Sequence, residues 1–357
     1  ILDLANAFSN GHLSLSDDIE TKKSLIMGEF LDRLENEYED LIGKYSLTTA
    51  ATCQTSLQLS NLVDETYGLV IIDEAARATP LDLFIPMSMG KKIILVGDHK
   101  QLPHMLEPEV LKLIIDDPLY KDLADIEKSL FERLFEMFKG GLRPKAIKLN
   151  KQYRMSPNIC SFVSDEFYDG DLLSDDEYEA RIAKDRIVPP QLFGGKALGF
   201  VDIGLSHGAE AKGISKSRRA EVAAITDDVR RIFAAEPRTT IGIITFYTAQ
   251  EKLLRESLYS VLNDEQKDLV GIGTVDAFQG KEFDYVLLSA VRANSIKDDE
   301  KKSVGFLVKP NRTCVAFSRA KKQLTIYGDG ETLSQVSCFK NLLDKCKNKR
   351  EGYYREY

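Results

Sequence analysis

Two unbroken apolar runs, each ending in a polar tip, constrain this chain more than any other feature in it. Val70-Ile71-Ile72 leads into Asp73-Glu74-Ala75-Ala76, and Ile93-Ile94-Leu95-Val96 leads into Gly97-Asp98-His99-Lys100-Gln101-Leu102-Pro103. Continuous apolarity, in place of alternation, predicts parallel strands buried on both faces, whose carboxyl ends open onto a ligand crevice. At such an edge Asp73 suits a magnesium ion held through its water shell. Glu74 suits a group that orients or deprotonates a water attacking a terminal phosphate, and Gln101 suits a sensor of that phosphate. An Asp-Glu pair after an apolar strand is common among α/β proteins. The second tip, costly to place at a strand end unless it binds something, turns the reading toward nucleotide hydrolysis.

The 357 residues suffice for two α/β lobes at about 150 residues each. With 43% hydrophobic and 29% charged residues, wholesale disorder is excluded. A formal charge of −8 argues against a surface that traps polyanions everywhere, while leaving room for a local basic groove. Cys53, Cys160, Cys314, Cys338 and Cys346 are scattered without the Cys-x-x-Cys spacing of a zinc site, as expected for reduced thiols in a cytoplasmic protein. No apolar run approaches the roughly 18 to 20 residues that span a bilayer, and no signal-peptide pattern opens the chain.

Periodicity predicts an amphipathic helix over 17–45, read as a packing or stalk helix. A short strand and loop over 45–52 follow, where the hydroxyls of Thr48, Thr49 and Thr52 suit contacts to a phosphate backbone. Helices are expected over 108–115 and 128–138, and a lobe boundary near 139–145. Beyond it, strands over 199–203, 241–245, 270–275 and 285–290 alternate with helices over 157–167, 218–235 and 248–262, which implies right-handed βαβ crossovers. The charged stretch 294–303 reads as a solvated loop, and the acidic 168–198 segment as an insertion without an assigned mechanism. The expected organisation is a helical stalk or end of an inserted subdomain (1–45), the C-terminal part of a first lobe (46–142), a second lobe (143–345) and a tail (346–357). Arg292, just past the 285–290 strand, is a candidate phosphate contact.

Six segments in order resemble the motifs of superfamily 1 helicases, specifically the nonsense-mediated-decay and senataxin-like branch. They are Asp73-Glu74-Ala75-Ala76, Gly97 to Pro103, Leu149-Asn150-Lys151-Gln152-Tyr153-Arg154-Met155, Ile241 to Gln250, Gly273-Thr274-Val275-Asp276-Ala277-Phe278-Gln279-Gly280-Lys281-Glu282, and Val315-Ala316-Phe317-Ser318-Arg319-Ala320-Lys321-Lys322. The resemblance covers about residues 46–335. It implies an α/β fold of two RecA-like P-loop NTPase lobes, parallel sheets flanked by helices, with ATP and Mg2+ between them and single-stranded RNA or DNA across their top. It further implies Arg154 and Arg319 on the γ-phosphate, Arg319 as an arginine finger. A planar, permanently charged fork suits charge spread over three phosphate oxygens. Tyr153 would stack on the nucleotide base, Glu282 would bond the ribose, and Thr274 with Asp276 would contact the strand. Gly280 would let backbone approach a ligand closely. Movement would be 5′-to-3′.

One part of that pattern is missing from these residues: no Gly-x-x-x-x-Gly-Lys-Ser/Thr phosphate loop occurs. The expectation is that this loop lies upstream of Ile1 in a longer protein, leaving the first lobe incomplete here and this stretch inactive by itself. The alternatives are a non-catalytic nucleic-acid clamp with a degenerate ATP site, and an ATPase module of a larger nuclease or antiviral assembly with fused domains or protein partners.

Overall fold

The computed structural model describes residues 27–28, 47–59, 66–104, 128–140, 144–175, 191–297, 299–348 and 351–357. All but two residues of the 17–45 helix, the helix expected over 108–115 and the middle of the 168–198 segment lie outside the described residues. The chain divides into two compact units, Ile1–Gly97 with Ser129–Phe131, and Asp98–Lys128 with Glu132–Tyr357. The tip beginning at Asp98 goes with the larger unit because Leu102 is buried in that unit's core and Asn311 Nδ2 donates to the carbonyls of His99 (3.1 Å) and Gln101 (2.7 Å).

In the smaller unit, β1 (Val70–Ile72) pairs in parallel with β2 (Ile93–Leu95), Val70 opposite Ile93. Their crossover is α1 (Pro80–Ser88), started by Thr79, whose Oγ1 accepts the Asp82 N–H at 3.2 Å, with Pro80 pre-set for the first turn. Leu83 of α1 packs with Ile72 and Ala75, and Leu130 and Phe131, which begin α2 (Leu130–Phe138), join them. Burial on both faces, expected of these strands, is not found: Ile71 is 61% and Ile94 47% exposed. Among the described residues the sheet has two strands and one packed face, so the other apolar face has no covering layer. The described residues 47–52 form no strand.

The larger unit meets the expectation the smaller one misses. Its sheet has six strands, all parallel, in the order β10-β5-β9-β8-β6-β7. These are β5 (Leu198–Asp202), β6 (Ile241–Thr245), β7 (Val270–Thr274), β8 (Phe283–Ser289), β9 (Ala320–Gly328) and β10 (Tyr353–Glu356). A separate two-residue pair joins β3 (Lys151–Gln152) to β4 (Leu173–Ser174). Along β8, Tyr285 and Leu287 enter one core while Val286 and Leu288 enter the other, which is why the run is apolar without alternation. One core is completed by α3 (Pro157–Phe167), α6 (Pro310–Phe317) and α7 (Ser337–Lys347), the other by α4 (Arg219–Ala235) and α5 (Thr248–Tyr259).

Two segments read as unstructured on sequence contribute elements. Glu300–Val304 is a short helix capped by Asp299, whose side chain accepts the Lys302 N–H at 3.0 Å. Residues 346–357, set apart as a tail, supply β10, paired in parallel with β5. Arg355 fixes it by a two-pronged contact to the buried Asp228 (3.0 and 2.7 Å), a partner no local pattern reveals. Among the described residues no helix is long and apolar enough to cross a membrane.

Candidate active site

Asp73 and Glu74 stand exposed where β1 ends. Glu74 has φ +53°, a left-handed conformation that a side chain seldom adopts, and its N–H donates to Asp73 Oδ1 at 2.9 Å. The turn is pinned from below: Ala75 N donates to the Val96 carbonyl at 2.8 Å, and both Ala75 and Ala76 are buried. Gly97 completes it. A Cβ there would lie 2.9 Å from the Ala76 nitrogen, so a side chain cannot enter without moving backbone. The tight turn holds both carboxylates outward, and strain of this sort persists where surrounding structure over-determines it. Among the described residues no three His, Cys, Asp or Glu side chains converge as a metal cage. A lone exposed carboxylate fits magnesium, which keeps several waters and takes its remaining ligands from phosphate. Thr48 is exposed and Thr49 half-buried on the irregular segment before Ser56.

In the larger unit, the tip and the candidate arginine finger meet. Arg319 is 1% exposed at the turn between α6 and β9. It donates from Nη2 to Gln101 Oε1 (3.1 Å) and Ser318 Oγ (3.0 Å), from Nη1 to the Lys281 carbonyl (3.3 Å) and from Nε to the Val315 carbonyl (3.1 Å). Gln101 Nε2 donates to Asp98 Oδ2 at 2.8 Å, and the same oxygen accepts the Tyr168 hydroxyl at 2.6 Å. Cys314 donates to the Tyr168 oxygen at 3.4 Å, and burial pushes its thiol up to about 12, which leaves it inert.

Arg154 and Glu282 come together with each other. Arg154 donates from Nε to Glu282 Oε2 at 3.0 Å and from Nη1 to the Ser318 carbonyl at 3.2 Å, and Lys321 Nζ lies 2.6 Å from Glu282 Oε1. Those bonds, Lys321 first and Arg154 after it, hold the Glu282 carboxyl below its ordinary range against partial burial. The Arg154 loop is shaped by Gln152, whose Oε1 accepts the N–H groups of Arg154 (2.9 Å) and Met155 (2.7 Å). Tyr153 is 60% exposed, its hydroxyl 3.4 Å from Asp175 Oδ2. Gly280 has φ +77° in the turn before Glu282, and a Cβ there would meet nothing within 4 Å, so its requirement is conformational.

At the carboxyl edge of the sheet, Thr274 ends β7, and Asp276 Oδ1 lies 3.4 Å from Arg312 Nη2. Arg292, expected as a phosphate contact, lies beneath a loop. It is 6% exposed, its Nη2 lies 3.0 Å from Glu210 Oε1 and donates to the Lys302 carbonyl, and its Nη1 donates to the Tyr247 hydroxyl at 3.3 Å. Its Nη atoms are thus engaged by the loop folded over them; a strand-end arginine reads alike on sequence whether its loop folds over it or not. The sequence reading missed Asn311 and Arg312, for which the signal was a polar pair directly after Pro310 at the start of the helix bearing the last motif.

A parallel sheet covered on both faces by helices, with a buried arginine bonded to Gln101 on a strand tip, defines an α/β protein. Two family models, each described as an AAA domain, match residues 126–331 and 14–107. The chain belongs to this family, the AAA domains of superfamily 1 helicases. It is 34% identical over 292 residues to a regulator of nonsense transcripts 1 homolog of Neurospora crassa, covering 79% of this chain and 24% of that protein. It is also 34% identical over 288 residues to the ATP-dependent helicase NAM7 of Saccharomyces cerevisiae, covering 79% and 27%. The chain thus spans about a quarter of the length of these relatives. A crystal structure of Arterivirus nonstructural protein 10 (helicase) matches at 16% identity and a TM-score of 0.36, over 78% of this chain and 42% of that one.

Proposed function

We propose that this chain forms part of an ATP-driven motor that moves on single-stranded RNA or DNA, 5′-to-3′, in the cytoplasm. In this reading Glu74 activates the attacking water, and Asp73 holds Mg2+, which would neutralise charge on the phosphates. Arg154 and Arg319 stabilise the transferred phosphoryl group, and Gln101 couples the phosphate to Arg319. Tyr153 and Glu282 face the nucleoside, Gly280 shapes the turn beside it, and Thr48, Thr49, Thr274 and Asp276 face the strand. Use of Glu282 on a ribose requires that it exchange at least one of its bonds to Arg154 and Lys321.

The observation that carries the reading is the hydrogen bond from Arg319 to Gln101, residues 218 positions apart, the one assigned to the γ-phosphate by the resemblance and the other read as its sensor from the strand tip. A second reading is a nucleic-acid clamp that does not hydrolyse ATP. ATP hydrolysis by the full-length protein, with and without single-stranded RNA or DNA, separates the two when measured beside Glu74→Gln. Strand-stimulated turnover that the variant loses supports the motor; binding of strands without turnover supports the clamp.

A further inference from the structure

The carboxyl ends of β8, β6 and β7, neighbours in the sheet, deliver Arg292, Tyr247 and Asp276 to one edge. The crossover from β8 to α6 carries Lys301, Lys302 and Lys309 after the acidic Asp298-Asp299-Glu300, with Lys302 paired to Asp299 at 3.2 Å, and α6 opens with Arg312 in its first turn. Within the crossover Phe306 is 45% exposed.

We propose that Phe306, backed by Tyr247 and overlain by the Arg312 guanidinium, is a stacking platform for a base of single-stranded nucleic acid lying along this edge. The proposal rests on the nucleic-acid reading above and adds to it Phe306 and Arg312, which no motif segment contains.

Phe306 packs on Tyr247. Its ring lies 5.8 Å from that of Tyr247, which is 4% exposed, and the Tyr247 hydroxyl accepts Arg292 Nη1, itself 3.0 Å from Glu210 through Nη2. Gly305 makes the fit possible. Its φ is +59°, and a Cβ there would lie 2.5 Å from Arg292 Nη1 and 3.0 Å from the Tyr247 oxygen. The buried Arg292 and Glu210 are thus positioning residues for the aromatic step. An aromatic packed in this way presents π-surface and loses less side-chain entropy when a ligand arrives.

Arg312 supplies the charge. Its Cζ lies over the Phe306 ring, 4.9 Å from the centroid, so a base reaches that face by displacing the guanidinium, whose contact to Asp276 is long at 3.4 Å and partly exposed. A loose ion pair of this kind contributes little to stability and exchanges readily for a phosphate oxygen. Sequence-tolerant strand binding uses both groups, π-faces for bases and N–H forks for backbone, and a guanidinium displaced from the ring is placed to meet the backbone.

The test is fluorescence anisotropy with labelled oligo-U and oligo-dT on the full-length protein. Phe306→Ala and Phe306→Leu are each expected to weaken binding about tenfold, and Phe306→Trp to retain it. Arg312→Ala is expected to weaken binding and reduce the salt slope by about one. On an abasic strand the difference between the unmodified protein and Phe306→Leu should vanish, a readout that loss of folding would not give. Equal affinity of Phe306→Leu and the unmodified protein for both oligonucleotides, or a loss just as large on the abasic strand, overturns the proposal while leaving the motor reading standing. If the unmodified protein binds neither oligonucleotide, both fall.

Discussion

Arg319 donates from Nη2 to Gln101 Oε1 at 3.1 Å while its Nη1 donates to the Lys281 carbonyl at 3.3 Å, so both prongs of one guanidinium are fixed before any ligand arrives. A fork held in this way gives up little freedom on meeting a phosphate. Arg319→Ala and Arg319→Lys are both expected to lower strand-stimulated ATP turnover by about a thousandfold or more, since a lysine has no planar fork. Gln101→Ala is expected to cost on the order of tenfold, as the loss of one bond to a charged group. Turnover numbers at saturating ATP check this order, and a Lys variant that keeps full turnover would refute the finger assignment.

Gly97 is where the two strand tips of the smaller unit touch. The Ala76 nitrogen lies 2.9 Å from where a Cβ would stand and the Ala75 nitrogen 3.3 Å, so Gly97→Ala must push backbone rather than a side chain. The expected result is a destabilisation of roughly 1–3 kcal/mol and lower ATP turnover, through displacement of Asp73 and Glu74. Urea unfolding together with ATP turnover checks it.

The larger unit carries a fully buried carboxylate. Glu221 accepts the Ser289 hydroxyl (2.6 Å) and the Val291 N–H (2.9 Å) and lies 3.4 Å from Arg218 Nη1. Burial nevertheless pushes its carboxyl up to about 7, with Arg218 the largest opposing influence. A carboxyl raised in the fold favours the folded state at acid pH, and that contribution is lost as pH climbs from the ordinary carboxylate range through about 7. Relative to Glu221→Gln, the unmodified protein should lose stability between about pH 5 and pH 8, by on the order of 3 kcal/mol. Urea midpoints at stepped pH measure the gap; a flat difference would mean that Arg218 keeps Glu221 ionised in the fold.

Asp228 anchors the last strand. Arg355 grips it through both Nη atoms, the Tyr327 hydroxyl donates to it at 2.8 Å, and Arg231 reaches it at 3.0 Å. Arg355→Ala leaves this carboxylate short of its two-pronged partner and should destabilise by about 2 kcal/mol, less than for a fully enclosed pair because Arg355 is partly exposed. Tyr327→Phe should cost about 1 kcal/mol. Chemical denaturation gives both values, and protease sensitivity confined to β10 in Arg355→Ala would localise the effect.

Sequence alone determined what depends on local pattern and on residue type. The 157–167 helix and the 241–245 strand have the bounds that periodicity predicts, and the apolar run of β8 is buried on both faces as its lack of alternation demands. The family was legible as well, because its motifs are runs of adjacent residues. Tertiary structure decided everything that needs a partner distant along the chain. It placed Arg292 under Glu210 and Tyr247 instead of at the surface, and joined Arg154 to Glu282 across 128 positions. It also turned an apparent tail into β10 through Arg355 and Asp228. Whether a charged side chain serves a ligand or a neighbour is settled by what folds against it, and that information is not carried in its own stretch of sequence.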